Sequence, residues 1–169
     1  MTVYVGPTNW WWRENPDSDI GCKVKGTLND LGLGGALVDG STIMCASNGV
    51  AILVAPSCTQ VCSAWAGGQY NTTQVGDKCC ISEWGGLQTA LTNAGFTPSD
   101  WFVPSYPQLQ LGYQCKDNWD STDIAFYWSS TEYAASCACN VDFNSSCSGN
   151  CITKSIAQNR VRAFRCVTY

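Results

Sequence analysis

The chain has 169 residues, of which 45% are apolar and 13% charged, and it carries a net charge of −4 with no histidine. This length and apolar content suffice for one globular domain with its own core, and they exclude a disordered chain. No cluster of Lys and Arg could neutralise phosphates and no stretch approaches the ~20 apolar residues of a membrane span, so we expect neither nucleic-acid binding nor membrane insertion. Without histidine, Ser-His-Asp and Cys-His catalysis are excluded, and we predict that the protein is not an enzyme.

Residues 1–33 differ from the rest of the chain, because they hold three consecutive tryptophans, Trp10, Trp11 and Trp12. We predict that this segment is an arm or an edge strand that docks on another protein, and that residues 34–169 form the domain. Neighbouring side chains of a strand alternate between its faces, so the three tryptophans cannot share one surface. Packing of the tryptophans on the domain itself is the alternative.

The first half of the domain predicts strands, a loop and a helix. Residues 34–56 contain short apolar runs broken by Gly and Asn, which is typical of strands. Residues 57–82 are polar and Gly-rich and predict a loop. Residues 83–95 predict a helix that ends at Gly95. Its apolar face consists of Leu87, Ala90, Leu91 and Ala94.

The second half begins with a short extended segment at residues 100–103. A helix is predicted over residues 106–113, with Ser105 as its cap and Pro107 tolerated in its first turn. Residues 114–123 predict a polar loop.

Three strands are predicted after this loop, at residues 125–129, 140–143 and 161–167. A Ser/Asn/Gly-rich connection is predicted at residues 144–159. In the last strand, alternation places Val161, Ala163, Arg165 and Val167 on one face and Arg162, Phe164 and Cys166 on the other.

Twelve cysteines are many for this length, and their even number suits six bridges. We predict structural disulfides with the pairing left open, and suggest that Cys147 and Cys151 pin the long connection. Zinc held by Cys58, Cys62 and the adjacent Cys79 and Cys80 is one alternative, and free thiols are the other. The full set is Cys22, Cys45, Cys58, Cys62, Cys79, Cys80, Cys115, Cys137, Cys139, Cys147, Cys151 and Cys166.

Disulfides belong to oxidising surroundings, yet the first residues lack the basic start and the apolar run of a signal peptide. A virion protein, made in a cytosol and oxidised after lysis, would reconcile the two observations. A leader already removed, or a reduced protein, would do so as well.

The stretch KDNWDSTD, residues 116–123, is the best candidate for a ligand loop. Its oxygen donors suit calcium, with Asp117, Asp120 and Asp123 as the possible metal ligands and Asn118 beside them. Trp119 could stack on a sugar ring. A solvated polar loop is the simpler interpretation, and no other cofactor is expected.

Four blocks in the order DWFVPSYPQLQ, YWSSTEY, VDF and VRAFRCV, after GGALVDG and GVAILVAPS, resemble the C-terminal domain family of the Lcl adhesins. The resemblance covers roughly residues 34–169. Its most specific part is YWSS at 127–130 with Glu132. The chain departs from the family pattern at residues 107–109, which lack an acidic residue, and in its many cysteines.

The resemblance implies an α+β, C-type-lectin-like fold with two small twisted antiparallel sheets, two helices and long loops, here stapled by disulfides. It implies that Tyr127 and Trp128 lie on a core strand, one ring buried and the other lying across the sheet. Ser129, Ser130 and Glu132 are then expected to hold turns through local hydrogen bonds, and VRAFRCV to be a half-buried closing strand.

These expectations lead to one main functional hypothesis. The protein would be a non-enzymatic structural protein of a phage virion, in a tail, fibre or capsid decoration, that displays a lectin-like domain on the virion surface. Other virion proteins are its expected partners, a host receptor or glycan is its candidate ligand, and a homo-oligomer is expected. The alternatives are an adhesin module of a bacterial cell surface and a purely architectural decoration protein.

Overall fold

The structure is a computed structural model. It describes residues 3–5, 10–13, 26–27, 37, 39–47, 50–144 and 149–168. Over these residues the protein is α+β, with two α-helices, several short 3-10 turns and three small sheets. The helices are α1 (Gly85–Asn93) and α2 (Tyr106–Gln114).

The strands are β1 (Val3–Val5), β2 (Trp10–Arg13), β3 (Gly26–Thr27), β4 (Thr42–Ser47), β5 (Val50–Val54), β6 (Val61–Cys62), β7 (Phe126–Ala134), β8 (Cys137–Asp142), β9 (Gly149–Thr153), β10 (Arg160–Val161) and β11 (Phe164–Thr168).

The three tryptophans lie on β2, which is the middle strand of an antiparallel sheet in the order β1-β2-β3. Trp12 is opposite Tyr4, and Trp10 is opposite Thr27. The segment therefore contains a central strand, where the sequence predicted an arm or an edge strand. Docking of this segment on another protein stays a prediction.

The other two sheets have the orders β6-β10-β7-β8-β9 and β11-β5-β4. All their pairs are antiparallel except β10 with β7, which is parallel. The described part of residues 34–169 has the two sheets that were expected, but the expectation that both are antiparallel was wrong, because short β10 inserts between β6 and β7 and runs parallel to β7. Such pairing is decided by tertiary contacts that local sequence does not encode.

Both predicted helices are confirmed, with slightly different ends. Gly95 follows α1 at φ +86°, and the N–H of Phe96 donates to the carbonyl of Leu91 at 3.0 Å, as in a Schellman motif. Ser105 caps α2 in a capping box. Its side chain accepts from the N–H of Gln108, whose own side chain accepts from the N–H of Ser105 at 2.8 Å.

Several strand predictions needed correction. The connection predicted at residues 144–159 contains β9, which pairs along β8. The predicted last strand is divided, since β10 ends at Val161 and β11 begins at Phe164. Residues 161–165 are buried on both faces, so this segment is not half-buried. Tertiary pairing supplies hydrogen bonds that the Ser/Asn/Gly-rich local sequence does not predict.

Strand β7 separates two apolar clusters. Trp128 and Tyr127 are both fully buried, but Trp128 belongs to the larger cluster with Trp65 and Trp84, and Tyr127 belongs to the smaller one. The buried indole nitrogen of Trp128 has a hydrogen-bond partner, since Nε1 donates to the carbonyl of Ser63 at 2.8 Å. The YWSS motif is therefore structural, as predicted, although both rings are buried rather than one.

Candidate functional site

The loop predicted to bind a ligand is built into the core around Trp119. This side chain is only 6% exposed, and its ring packs on Tyr127, Phe143 and Phe164 with centroids 5.9, 5.3 and 5.5 Å away. The guanidinium of Arg162 covers the ring at 5.1 Å. Trp119 is thus not available to stack on a sugar, and the signal that placed it on the surface, its polar neighbours, was misleading.

Asp120 accepts hydrogen bonds from the protein, although its side chain is 29% exposed. Its carboxylate accepts from the N–H of Ser57 at 2.7 Å and from Nη2 of Arg162, which is itself 2% exposed. Arg162 also donates from Nε to the carbonyl of Ala55 at 2.8 Å. Burial raises the pKa of Asp120, but the Ser57 N–H and the Arg162 charge outweigh it, so the pKa lies below its ordinary value. Asp120 and Arg162 therefore clamp the loop to residues 55–57.

The remaining polar residues of the loop are separated from one another. Asp123 accepts from Arg160 Nε at 3.0 Å and from Gln60 Nε2 at 2.9 Å. The side chain of Asn118 donates to the carbonyl of Met44 at 3.2 Å, and Asp117 is exposed. Over the described residues, no three His, Cys, Asp or Glu side chains lie close enough to hold a metal. Calcium binding by Asp117, Asp120 and Asp123 stays a prediction, with two of the three engaged by arginine.

A buried ion pair was not predicted from the sequence. The ammonium group of Lys154, fully buried, donates to Glu132 Oε2 at 2.7 Å and to the carbonyls of Thr73 and Ala135 at 2.9 and 2.8 Å. Glu132 also accepts from the N–H groups of residues 75 and 76. Its hydrogen bonds join distant segments, so the expected local role was wrong. A single Lys in a Ser/Asn/Gly-rich stretch gives no signal of such burial.

Ser129 and Ser130 also act beyond a local turn. The hydroxyl of Ser129 accepts from the nearby N–H of Thr131 at 3.2 Å, but it donates to the carbonyl of Cys139 on β8 at 2.7 Å. The N–H of Ser130 donates to the carbonyl of Pro104 at 2.8 Å. The motif thus ties β7 to β8 and to the segment that precedes α2.

The cysteines do not follow the prediction of a fully bridged chain. Ten of the twelve are described, and Cys22 and Cys147 lie outside the described residues. Cys137 and Cys151 form a disulfide, so Cys151 ties the connection to β8, while the role suggested for Cys147 stays a prediction. Among the described cysteines, the remaining eight are thiols: Cys45, Cys58, Cys62, Cys79, Cys80, Cys115, Cys139 and Cys166.

Two thiol pairs are close in space. Sγ atoms of Cys79 and Cys80 lie 3.9 Å apart on the surface. Cys45 and Cys115 pack against the smaller apolar cluster, where burial and the neighbouring Cys115 thiol raise the pKa of Cys45 to about 12. In the part of the chain that the structure describes, the cysteines at 58, 62, 79 and 80 do not come together as a group of zinc ligands.

A cavity of about 300 Å³ lies beside α1, and no motif in the sequence predicted it. Trp101, 4% exposed, lines it together with the apolar side chains of Ile81 and Pro98. Polar groups complete its lining at Cys80, Ser82, Gln88 and Ser99. We call this the Trp101 cavity. Its lining combines apolar side chains with hydroxyl and amide groups, which is the usual composition of a small-molecule site.

Backbone hydrogen bonds hold the segment that carries Trp101. Phe102 exchanges two backbone hydrogen bonds of 2.9 Å with Phe164 of β11, and the N–H of Val103 donates to the carbonyl of Cys79 at 2.9 Å. Trp101 itself packs edge-on against Phe96, at a centroid distance of 5.3 Å. These contacts fix the wall of the cavity before any ligand arrives.

No protein-family model matches this chain, and no curated protein matches it either. The resemblance to the Lcl family therefore depends on the sequence blocks quoted above. Within the described residues, no helix combines the length and apolar character needed to cross a bilayer.

Proposed function

We propose that the protein is a non-enzymatic virion protein of a tailed phage that displays a C-type-lectin-like domain and binds a host-surface glycan in the Trp101 cavity. The order of the YWSSTEY and VRAFRCV blocks supports the family, and an α+β domain with two helices and small sheets is compatible with it. The virion surface is the proposed location, and a homo-oligomer is the proposed state. The Trp101 cavity is the observation that carries the binding role.

The chemistry of the Trp101 cavity suits a sugar. A sugar presents apolar C–H groups next to hydroxyls, and the cavity offers the half-buried ring of Pro98 next to the exposed side chains of Gln88, Ser82 and Ser99, whereas Trp101, 4% exposed, adds little accessible surface. Its volume is at the lower end of ligand pockets, which favours one sugar residue over a longer chain. Because its walls are fixed by the backbone pairing of residue 102, little ordering would oppose binding.

Binding is tested with the purified, labelled protein on a glycan array and on candidate host cells, with and without EDTA. We expect saturable binding that EDTA does not abolish, because Asp120 and Asp123 are engaged by Arg162 and Arg160. Loss of binding in EDTA would instead assign the site to calcium near residues 117–123. No binding by a folded sample would favour the architectural alternative.

Docking on the virion is tested at strand β2. Replacing Trp10 and Trp12, which are two residues apart and so share one face of a strand, should release the protein from particles. The variant Trp10→Ala with Trp12→Ala is compared with Trp11→Ala, on the opposite face, and both are checked for folding by circular dichroism. Full occupancy of particles by the double variant would contradict docking through this face.

A further inference from the structure

Three cysteines lie together on strands β8 and β9. Cys137 and Cys139 are two residues apart on β8, so their side chains share one face of the sheet, and Ala138 between them is buried on the other. Cys151 on β9 forms the disulfide with Cys137, with Cα atoms 5.7 Å apart. In the strand register, however, Cys151 is directly opposite Cys139, which is a thiol. One disulfide therefore has a thiol as its immediate neighbour.

The pair Cys139 and Cys151 also has suitable backbone geometry for a bridge. The N–H of Lys154 donates to the carbonyl of Ser136 at 2.9 Å, so the residues of β8 that bond to β9 have even numbers. The carbonyl of Cys139 instead points to β7, where it accepts from the hydroxyl of Ser129. In such non-hydrogen-bonded pairs the Cα atoms are about 4.5 Å apart, which lies within the range of disulfides.

We propose that Cys137, Cys139 and Cys151 form a thiol–disulfide exchange site that moves one disulfide between two positions on β8 and β9. The thiolate of Cys139 attacks Sγ of Cys151. The bond between Cys139 and Cys151 forms as the bond between Cys137 and Cys151 breaks, and Cys137 leaves as a thiolate that takes up the proton lost by Cys139. One disulfide and one thiol are present before and after, so no oxidant or reductant is consumed.

The register selects Cys151 as the sulfur that is attacked. Attack on Cys137 would have to join residues i and i+2 of one strand, whose Cα atoms are about 6.6 Å apart with nearly parallel side chains. That bridge would need β8 to bend out of the sheet. Exchange through Cys151 leaves both strands in place, because Lys154 still holds the carbonyls of Ala135 and Ser136 at the turn between β7 and β8.

The local environment makes this exchange slow at neutral pH. Partial burial and, to a smaller extent, the negative charge of Asp77 raise the pKa of the Cys139 thiol above its ordinary 9.0. Since the thiolate is the attacking form, exchange should accelerate as the pH rises.

The first test uses the wild-type protein without reductant. Samples from neutral and alkaline buffer are quenched in acid, labelled with N-ethylmaleimide and mapped by mass spectrometry. Among Cys137, Cys139 and Cys151, we expect label on Cys139 alone at first, and on both Cys137 and Cys139 after alkaline incubation, at a rate independent of protein concentration. Label that stays on Cys139 alone, or that appears on Cys151, would overturn the proposal.

Two matched variants separate the two bridges. Cys137→Ser should form the bridge between Cys139 and Cys151, seen as a disulfide-linked peptide pair. Cys139→Ser should keep the bridge between Cys137 and Cys151 and show no transfer of label in alkaline buffer. Thiols at both Cys139 and Cys151 in oxidised, folded Cys137→Ser protein, or a bond from Cys151 to another cysteine, would contradict the proposed pair.

Discussion

Arg160 and Arg162 are two residues apart and both pair with an aspartate, but their surroundings differ greatly. The side chain of Arg162 is 1% exposed and its three donating nitrogens have separate acceptors, whereas that of Arg160 is 31% exposed. An ammonium group cannot reproduce the planar fork of a guanidinium. We expect Arg162→Lys to reduce the free energy of unfolding by about 2–3 kcal/mol, because buried acceptors lose their donors. Urea denaturation followed by fluorescence measures this change.

Arg160→Lys is the matched control for this prediction. Its ion pair with Asp123 is largely solvent-exposed, so the change should stay within about 1 kcal/mol. Equal effects of the two substitutions would show that the clamp between Arg162 and the loop at residues 120–121 does not stabilise the fold.

The buried pair of Glu132 and Lys154 makes stability depend on pH. Burial raises the pKa of Glu132, but hydrogen bonds from Lys154 and from the backbone of residues 75 and 76 outweigh this, and the pKa falls below its ordinary 4.5. The stabilisation is therefore complete above pH 4.5 and is lost as the pH falls through the lower, folded-state pKa. We expect Glu132→Gln to cost about 3–5 kcal/mol at neutral pH, because it leaves the Lys154 charge unpaired.

The same variant should differ less from the wild type in acid, where Glu132 of the wild type is protonated as well. Denaturation curves at neutral pH and well below pH 4.5 measure this convergence. Glu83→Gln is the control, since its contact with Lys78 spans 3.8 Å and its side chain is 32% exposed. A difference between wild type and Glu132→Gln that is constant with pH would contradict the assigned protonation state.

At the scale of single elements, local signals predicted the helices well. Ser105 and Gly95 act within one turn of their helices, so the local sequence contains every residue that caps the helix at that end. Strand β9 was missed because its hydrogen bonds come from β8, and the division of the last strand was missed because Arg162 turns toward Asp120. The prediction of a ligand site in the loop missed these contacts for the same reason, since the hydrogen-bond partners of the Asp120 and Asp123 carboxylates lie 37 or more positions away in sequence.

Two helical glycines test how closely the elements pack. A Cβ at Gly112 of α2 would lie 2.7 Å from Cζ of Phe164 and 3.1 Å from Cζ2 of Trp119, whereas at Gly86 of α1 it would meet nothing within 4 Å. We expect Gly112→Ala to destabilise by about 1–3 kcal/mol through overpacking. Gly86→Ala should stabilise by about 0.5–1 kcal/mol, because alanine loses less entropy in a helix.

Thermal unfolding of both alanine variants, followed by circular dichroism, gives the sign of each change. Stabilisation by Gly112→Ala would mean that α2 is not seated on Phe164 and Trp119 as the structure has it.

At the scale of the whole molecule, composition and the order of the blocks predicted the α+β class but not the arrangement of sheets. The parallel contact of β10 with β7, through Arg160 and Tyr127, follows from packing on both faces of β7. The Trp101 cavity has the same origin. Its lining comes from residues 80–82, from α1 and from residues 98–101, and no motif links these three segments. Trp101 itself was predicted only as part of a short extended segment.

The most direct test of the proposed binding role compares two neighbouring positions on α1. Gln88 lines the Trp101 cavity, whereas Thr89 is exposed but does not line it. Binding isotherms on the same host cells should show Gln88→Arg weakened by about tenfold or more, equivalent to ~1.4 kcal/mol, because the longer side chain occupies the cavity. Thr89→Arg adds the same charge one residue away and should bind like the wild type. Equal binding by all three proteins, or an equal loss in both variants, would contradict the Trp101 cavity as the ligand site.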